Sequence, residues 1–580
     1  MFHKTGRCSS VAAVAMMFFA TALAAQPRLP ADLILVNAEV LTMDPGRPTA
    51  RGLAIRENQI VAIGTDAEVK KLRGPITRVM DLGGRTVIPG IVDTHIHAIR
   101  GGQGFSFESY WSEQTTLVGA IDELKREADQ RGAGKWVAVV GAWDPEQFAE
   151  RRMPTVKELS EAIPDNPAYV QYLYNSAVLN EKGIEALGLN SGARLPSGIV
   201  VERDGEGKAT GKLRGGIGPF NVLVSRISPN TPEQNRRNLA AFFGELNKLG
   251  VTGIVDPAAG DFPVYDALFS LWRDKALTVR VAYRASALPS ESEFTWFTTT
   301  LTFLPPLFGD DMLRFLGVGE VLVFGMNDGV MMGPGFSPSQ KARDELFKVA
   351  MLAAERAYPL EIHAYTNDGA SAILDVFEKV AEKRPIKDLR WAITHISTGT
   401  EETFERMRRL GLAYTVQMGP YFEAPAIREA NGESVAQTSP PTRLALDKGL
   451  MVAGGTDSTR IGVINVWRAI EYHVTGQSAG AAVRRRSDYL LTREEALRLY
   501  TANAAWITFD ERHRGTLTPG KLADLAVLDA PFLRTPADQI HSIRSVMTIV
   551  DGKVVYVDHN ALRVPAIAAN RLPGRSSTKR

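Results

Sequence analysis

Cysteine is almost absent from this chain. The one cysteine among 580 residues is Cys8, close to the N-terminus, so the rest of the chain has no thiol for a disulfide or for a metal thiolate. Any metal site must therefore be built from groups such as imidazole and carboxylate. A charge excess of one sign is also missing: 67 basic residues stand against 65 acidic ones, a formal net charge of +2, which argues against a nucleic-acid partner.

Long apolar runs are missing too. The apolar stretch at residues 11–20 is too short for a stable membrane span, and it follows a basic start and precedes the small-x-small pattern of residues 22–24. This pattern predicts a secretory signal peptide over residues 1–25, cleaved near Ala24 or Ala25. We therefore expect a protein exported by a bacterium, periplasmic or secreted. Membrane attachment through an uncleaved signal is the alternative.

Histidine is scarce, with nine copies, and two of them form the most informative motif. His95 and His97 follow the β-branched run at residues 85–92, which predicts a short buried strand. Alternate side chains of a strand share a face, so the two imidazoles are expected to point the same way. Two imidazoles on a rigid element are half of a metal site. A polar turn with two histidines is the alternative.

Three further residues extend this motif. His363, His395 and Asp457 each end another strand-like run, and helix-like segments separate these runs. Alternation of this kind predicts α/β units, and polar residues at successive strand ends are typical of a (β/α)8 TIM-like barrel. Imidazole and carboxylate donors suit Zn²⁺ or a similar divalent ion.

Short strand-like runs predict a second unit built from both ends of the chain. Residues 31–86 and 511–560 are expected to pair into a small β-sandwich-like domain, with a hairpin turn at residues 551–552. The barrel would then occupy residues 87–510, with an insertion at about 105–236 near its mouth. Residues 1–25 are the predicted signal and 561–580 a basic tail, expected to be poorly ordered.

Five motifs together resemble the amidohydrolase superfamily, in the branch called amidohydrolase family 3. The resemblance covers the chain from Ala31 to about Asp558. It implies a metal-bearing barrel and a small β domain from both termini. The motifs are Val87–His97, Glu361–Ala364 with Asn367–Ala370, Arg390–His395, Gly454–Asp457 and Gly515–Leu528.

Glu320 departs from the family pattern. Many relatives carry a carbamylated lysine on the fourth barrel strand, where it bridges two metals, and this chain has Glu320 at or beside that position. A carboxylate has the same bridging geometry as a carbamate, so the chain is expected to hold one or two ions. A structural glutamate at a strand end is the alternative.

Aromatic residues mark the second departure. Relatives often carry a histidine before the Asn-Ser of the insertion, where this chain has Tyr172 and Tyr174. Either phenol would be able to donate to a developing oxyanion, or the rings pack the insertion. Trp143 and Tyr421 are likewise expected to bind a hydrophobic substrate, with packing as the alternative.

The predicted reaction is metal-dependent hydrolysis of a C–N bond in a small amide-like substrate, of N-acyl or N-formyl type and hydrophobic. Asp457 is the expected general base, and Asp93 or Asp368 is expected to orient ligand imidazoles. The same scaffold suits an esterase or lactonase, a cyclic amidase or a deaminase. A non-catalytic exported binding protein is a further alternative, and homo-oligomerisation is left open.

Overall fold

The computed structural model describes residues 29–257, 262–288, 290, 292–330 and 333–562. The predicted signal peptide, Cys8 and nearly all of the predicted basic tail lie outside these residues. Within them, no helix combines the length and the apolar character needed to cross a membrane.

The described residues form strands in three regions of the chain. The strands before residue 90 are β1 Leu33–Val36, β2 Glu39–Leu41, β3 Thr49–Ala50, β4 Gly52–Arg56, β5 Gln59–Gly64, β6 Arg78–Asp81 and β7 Thr86–Pro89. Those that follow are β8 Ile91–Asp93, β9 Glu108–Ser109, β10 Val137–Val139, β11 Ala168–Tyr172, β12 Ser176–Leu179, β13 Val200–Arg203, β14 Ala209–Arg214, β15 Val251–Asp256, β16 Arg280–Ala285 and β17 Leu313–Val318. The last are β18 Glu361–Ala364, β19 Ala392–His395, β20 Ala413–Val416, β21 Val452–Gly454, β22 Leu525–Leu528, β23 Ser545–Val550 and β24 Lys553–Val557.

Helices alternate with the later strands. The α-helices are α1 Asp66–Lys70, α2 Ala98–Gly104, α3 Leu117–Arg131, α4 Val156–Ala162, α5 Glu181–Ala186, α6 Ile217–Ile227, α7 Pro232–Lys248, α8 Asp266–Arg273 and α9 Glu293–Thr300. They continue with α10 Gln340–Glu355, α11 Asn367–Ala381, α12 Glu401–Leu410, α13 Gly419–Asn431, α14 Glu433–Ala436, α15 Thr442–Asp447, α16 Val466–Thr475, α17 Arg493–Leu499 and α18 Ala502–Ile507. Local sequence sets their ends: α7 begins with Pro232 at its first turn after a Thr231 capping box.

Two four-stranded parallel sheets form the centre of the fold. Their strand orders are β17-β16-β15-β8 and β18-β19-β20-β21. Every residue of these strands except Arg314 is buried. Parallel sheets are buried in this way when helices cover them, and the largest apolar cluster joins these strands to the surrounding helices. The fold is therefore of the mixed α/β class, as predicted.

Hydrogen bonds join the outer strands of the two sheets on both sides. The amide of Val318 in β17 donates to the carbonyl of Pro359 at 3.0 Å, just before β18. The amide of Thr94, just after β8, donates to the carbonyl of Gly454 in β21 at 3.1 Å. The carboxyl ends of the eight parallel strands therefore meet in one region.

Strands from both ends of the chain share one six-stranded sheet, in the order β24-β23-β22-β7-β2-β3, beside a four-stranded sheet in the order β5-β4-β1-β6. The structure splits the single strand predicted at residues 85–92 into β7 and β8, which lie in different sheets. Gly90 joins them, and a Cβ on Gly90 would lie 2.1 Å from the hydroxyl of Thr252. The chain therefore crosses from one sheet to the other at a point where only glycine fits, and β7 extends past the predicted boundary at residue 87.

Residues 108–214 build a separate six-stranded sheet, in the order β13-β14-β12-β11-β10-β9. This sheet docks beside the loop after β21. The amide of Ala142 donates to the carbonyl of Arg460 at 2.8 Å, and the buried Arg460 guanidinium pairs with Glu108 at 3.0 Å. The stretch predicted as an insertion thus contacts the loop that carries Asp457.

Candidate metal centre

His95 and His97 lie in the loop directly after β8, and both are buried. Asp93, the last residue of β8, fixes this loop because its carboxylate accepts hydrogen bonds from the amides of His95 at 3.2 Å and Thr456 at 3.0 Å. The Thr456 hydroxyl also donates to Asp93 at 2.6 Å. One carboxylate therefore holds the His95 loop against the loop that leads to Asp457.

The remaining predicted ligands reach the same place from other strands. Glu320 follows β17, His363 lies in β18, His395 ends β19 and Asp457 follows β21. None of the four is more than 7% exposed. The structure thus brings together all six residues that the sequence predicted as ligands, at the carboxyl ends of both parallel sheets.

Glu320 lies among all four histidines. Its Oε1 is 2.7 Å from Nδ1 of His363 and 3.0 Å from Nε2 of His395. Its Oε2 is 3.7 Å from Nε2 of His95 and 3.6 Å from Nε2 of His97. The two oxygens of one carboxylate therefore face two different pairs of imidazoles.

Asp457 faces three of the same imidazoles. Its Oδ1 lies 3.3 Å from Nε2 of His97 and 3.9 Å from Nε2 of His95, and its Oδ2 lies 3.9 Å from Nδ1 of His395. Within the described part of the chain, three sets of donor atoms lie within 4.8 Å of one another. The sets are His95, His97 and Glu320; Glu320, His363 and His395; and His95, His395 and Asp457.

His95 provides the clearest test of whether a metal fits. Its Nδ1 is 2.9 Å from Oε1 of Glu361, and its Nε2 is buried without a hydrogen-bond partner. A carboxylate at Nδ1 fixes the proton there and leaves the lone pair of Nε2 free, as in histidine ligands of metals. A nitrogen and oxygen donor set with such an unpaired nitrogen fits a divalent ion of the zinc type.

The carboxylates of this cluster are held in their charged form. Burial opposes the charge on Glu320, but the nearby His95, His363 and His395 outweigh it and keep the pKa of Glu320 well below its usual value. Burial likewise opposes charge on Asp457, and His97, His395 and His95 lower its pKa. Two ionised carboxylates among four imidazoles favour a bound cation.

Two positioning carboxylates were missed from the sequence. Besides bonding His95, Glu361 accepts a hydrogen bond from the Thr415 hydroxyl at 3.0 Å. Asp328 lies 3.3 Å from Nε2 of His363 and accepts from the amide of Thr366 at 2.8 Å. Glu361 precedes His363 by two residues in β18, so strand alternation was an available signal for it.

These contacts correct the predicted orienting residues. Asp93 bonds the backbone of His95 rather than its ring. Asp368 accepts a hydrogen bond from the amide of Gly335 at 2.7 Å, away from the cluster. Glu361 and Asp328 make the imidazole contacts that were expected from Asp93 and Asp368.

The four aromatic residues predicted to bind substrate lie outside this ligand cluster. Trp143 is fully buried, and its indole donates to the carbonyl of Gln171 at 2.8 Å. Tyr172 donates its hydroxyl to Asp144 at 2.8 Å. Tyr174 is buried in an apolar cluster of the inserted sheet, and Tyr421 packs 5.6 Å from the ring of Tyr472. Their role in substrate binding stays a prediction.

Comparison with known proteins agrees with this geometry. A family model described as "Amidohydrolase family" matches residues 78–556. The chain belongs to the amidohydrolase family. It is a metal-dependent hydrolase of C–N bonds, as the sequence predicted, and the neighbours and the donor set support a zinc-type ion as the cofactor.

Three relatives illustrate the family. N-substituted formamide deformylase of Arthrobacter pascens is 25% identical over 90% of this chain and 98% of its own. An uncharacterized metal-dependent hydrolase from Pyrococcus horikoshii has a TM-score of 0.62 at 22% identity, over 87% of this chain and 99% of its own. Atrazine chlorohydrolase TrzN from Arthrobacter aurescens, complexed with zinc, has a TM-score of 0.51 at 16% identity, over 90% of this chain and 95% of its own. The two solved structures bear on the fold alone.

Proposed function

We propose that the two parallel sheets close into one (β/α)8 barrel whose mouth carries the metal site. The hydrogen bonds from Val318 to Pro359 and from Thr94 to Gly454 support closure on both sides. Strands from residues 31–89 and 525–557 would form the small β domain, and residues 105–236 the insertion at the mouth. Ligands from successive strands would then converge where barrels of this kind place their active sites.

The metal ligands in this proposal are His95, His97, Glu320, His363, His395 and Asp457. Glu320 belongs to two donor sets, and each of its oxygens faces a different pair of imidazoles. This is the arrangement expected of a carboxylate that bridges two ions, so we assign a two-zinc centre. When bound, the ions supply Lewis acidity toward a carbonyl oxygen and lower the pKa of water.

Asp457 is the proposed general base. It lies within 3.9 Å of three imidazoles, and its lowered pKa keeps it ready to accept a proton at neutral pH. It would take the proton of the attacking water and deliver it to the leaving amine nitrogen. Glu361 and Asp328 hold His95 and His363 in the tautomers that this arrangement needs.

The proposed substrate is an N-acyl amine, with the N-formyl type as the first candidate. The N-substituted formamide deformylase of Arthrobacter pascens, which matches nearly its whole length to this chain, supports this choice. The observation that carries the chemistry is the convergence of six buried imidazole and carboxylate side chains with an unpaired His95 Nε2.

A substrate panel tests the proposal. The zinc-loaded full chain is given N-formyl amines, N-acetyl amines, carboxylic esters, lactones and ring-amino compounds, and the release of acid and amine is measured. We expect the highest kcat/KM with N-formyl amines. Faster turnover of esters or lactones, or release of ammonia alone, would contradict the assignment.

Export is the proposed location. The basic start, the apolar run at residues 11–20 and the small residues that follow support a cleaved signal. Expression of the full chain in a bacterium, followed by fractionation and N-terminal sequencing, tests this. We expect the periplasmic or secreted form to begin near residue 25 or 26.

A further inference from the structure

Glu423 is a buried carboxyl group that the metal centre does not use. It lies on α13 and is fully buried. Its Oε1 accepts a hydrogen bond from the hydroxyl of Tyr365 at 3.1 Å, whereas its Oε2 has no partner among the described residues. A buried carboxylate oxygen without a donor is costly, so a native partner for it is expected.

Tyr365 connects Glu423 to the metal centre. Its ring stacks on that of His395, with centroids 4.8 Å apart and planes 26° apart, and its hydroxyl points to Glu423. Glu423 is therefore separated from the ligand cluster by one tyrosine ring. Such a position suits contact with a part of the substrate remote from the scissile bond.

Asp144 brings a second carboxylate to the same region from the inserted sheet. Its charge raises the pKa of Glu423, as does that of Asp457, although burial is the largest cause and the raised pKa is about 8. Burial raises the pKa of Asp144 as well, to about 6, and the Tyr172 hydroxyl holds its Oδ2 in place. Among the described residues, neither Glu423 nor Asp144 has an ion pair with lysine or arginine.

We propose that Glu423, with Asp144 beside it, binds a protonated amino group of the substrate remote from the scissile C–N bond. An ammonium group would supply the missing donor to Oε2 and would compensate the repulsion among the carboxylates. A substrate carboxylate or phosphate would add to that repulsion. The inference rests on the proposed hydrolase function and names its preferred substrate class, the mono-N-acylated diamines.

A third metal ion at this place is a weaker explanation. The donor sets with metal-binding geometry in the described part of the chain do not include Glu423. The unpartnered oxygen is flanked by the Tyr365 hydroxyl and by Gly419, whose added Cβ would lie 2.8 Å from it. One hydrogen-bond donor on a flexible chain fits this surrounding better than an ion that needs several ligands.

Two formamides of equal length test the proposal. N-formyl-butanediamine ends in an ammonium group, and N-formylpentylamine ends in a methyl group. We expect the zinc-loaded full chain to prefer the diamine in kcat/KM, and Glu423→Gln to reduce that preference by about tenfold or more, because it removes one partner of a buried charge pair. Glu429→Gln, on the exposed side of the same helix, is the matched control and should keep the preference.

Calorimetric binding of butylammonium chloride, compared with butanol, separates this inference from the hydrolase function. Binding of butylammonium that Glu423→Gln weakens supports the subsite even if neither formamide is hydrolysed, a result that would count against the proposed reaction instead. Should Glu423→Gln fail to fold, Asp144→Asn should weaken the same binding. Equal kcat/KM for the two formamides, or butylammonium binding unchanged in the variants, would overturn the subsite.

Discussion

Glu361 and Glu423 are both fully buried near the same histidines, yet their surroundings differ. Glu361 has partners on both oxygens, from His95 and the Thr415 hydroxyl, and these together with Arg284 lower its pKa although burial opposes the charge. Glu423 has a partner on one oxygen, and burial with two nearby carboxylates raises its pKa to about 8. The neighbours, rather than burial alone, decide which carboxylate serves the metal centre.

Removing imidazoles from the Glu361 side should have the largest effect. We expect the double variant His95→Ala, His97→Ala to lose zinc and all measurable turnover, because two donor sets lose members. Zinc per chain, measured by elemental analysis after dialysis, checks this. His513→Ala is the control, since His513 belongs to none of the donor sets. Zinc retained at the wild-type level would contradict the ligand assignment.

Asp457→Asn should keep most of the zinc and lose kcat by roughly 100- to 10,000-fold, the range typical of a lost general base. Steady-state kinetics together with metal analysis on the same preparation separates the two roles. A variant that retains wild-type kcat would remove Asp457 from the mechanism.

Glu320→Gln tests the bridging carboxylate. An amide bridges metal ions poorly, so we expect this variant to hold one zinc ion fewer per chain than the wild type does. Glu355→Gln, at the exposed end of α10, is the control. Equal zinc content in the Glu320 variant and the wild type would favour a structural glutamate.

Glu361→Gln sharpens the comparison between the two buried glutamates. The variant loses the charge that orients His95, and zinc affinity should fall by about 10- to 100-fold, as for other outer-shell partners of metal ligands. Competition with a chelator of known zinc affinity measures this. An unchanged affinity would mean that Glu361 only fills space beside His95.

The smallest expected effect is a pH dependence of stability from Glu423. The pKa of Glu423 is raised from 4.5 to about 8, so the folded state holds its proton more tightly, and stability is lost as pH rises between those values. Glu423→Gln should remove that loss, which is on the order of a few kcal/mol. Urea unfolding of the zinc-free protein at several pH values, with Glu429→Gln as control, tests this. The same pH slope in the variant and the wild type would contradict it.

Local sequence patterns predicted much of the fold because its signals are local. The Asp551-Gly552 turn between β23 and β24 has positive φ at both residues, 55° and 72°, as a two-residue hairpin requires. The helices expected at residues 339–356 and 401–410 are present as α10 and α12. The crossing at Gly90 was missed because its cause is Thr252, a residue distant in sequence.

The site was predictable where residues end strands and less so where contacts are long-range. All six ligand candidates came from strand ends, although His95 and His97 lie in the loop after β8 and not in the strand. Asp328 and Glu423 meet His363 and Tyr365 only through tertiary packing, so no spacing along the chain revealed them. Glu361 was visible through alternation with His363 in β18 but was not assigned.

Zinc titration of the chelated protein tests the central claim most directly. The metal-free full chain is titrated with Zn²⁺ while amine release from an N-formyl amine is followed. We predict no turnover without metal and a rise that saturates when two ions are bound per chain. Full turnover of the metal-free chain, or stoichiometric zinc binding that restores none, would contradict the account.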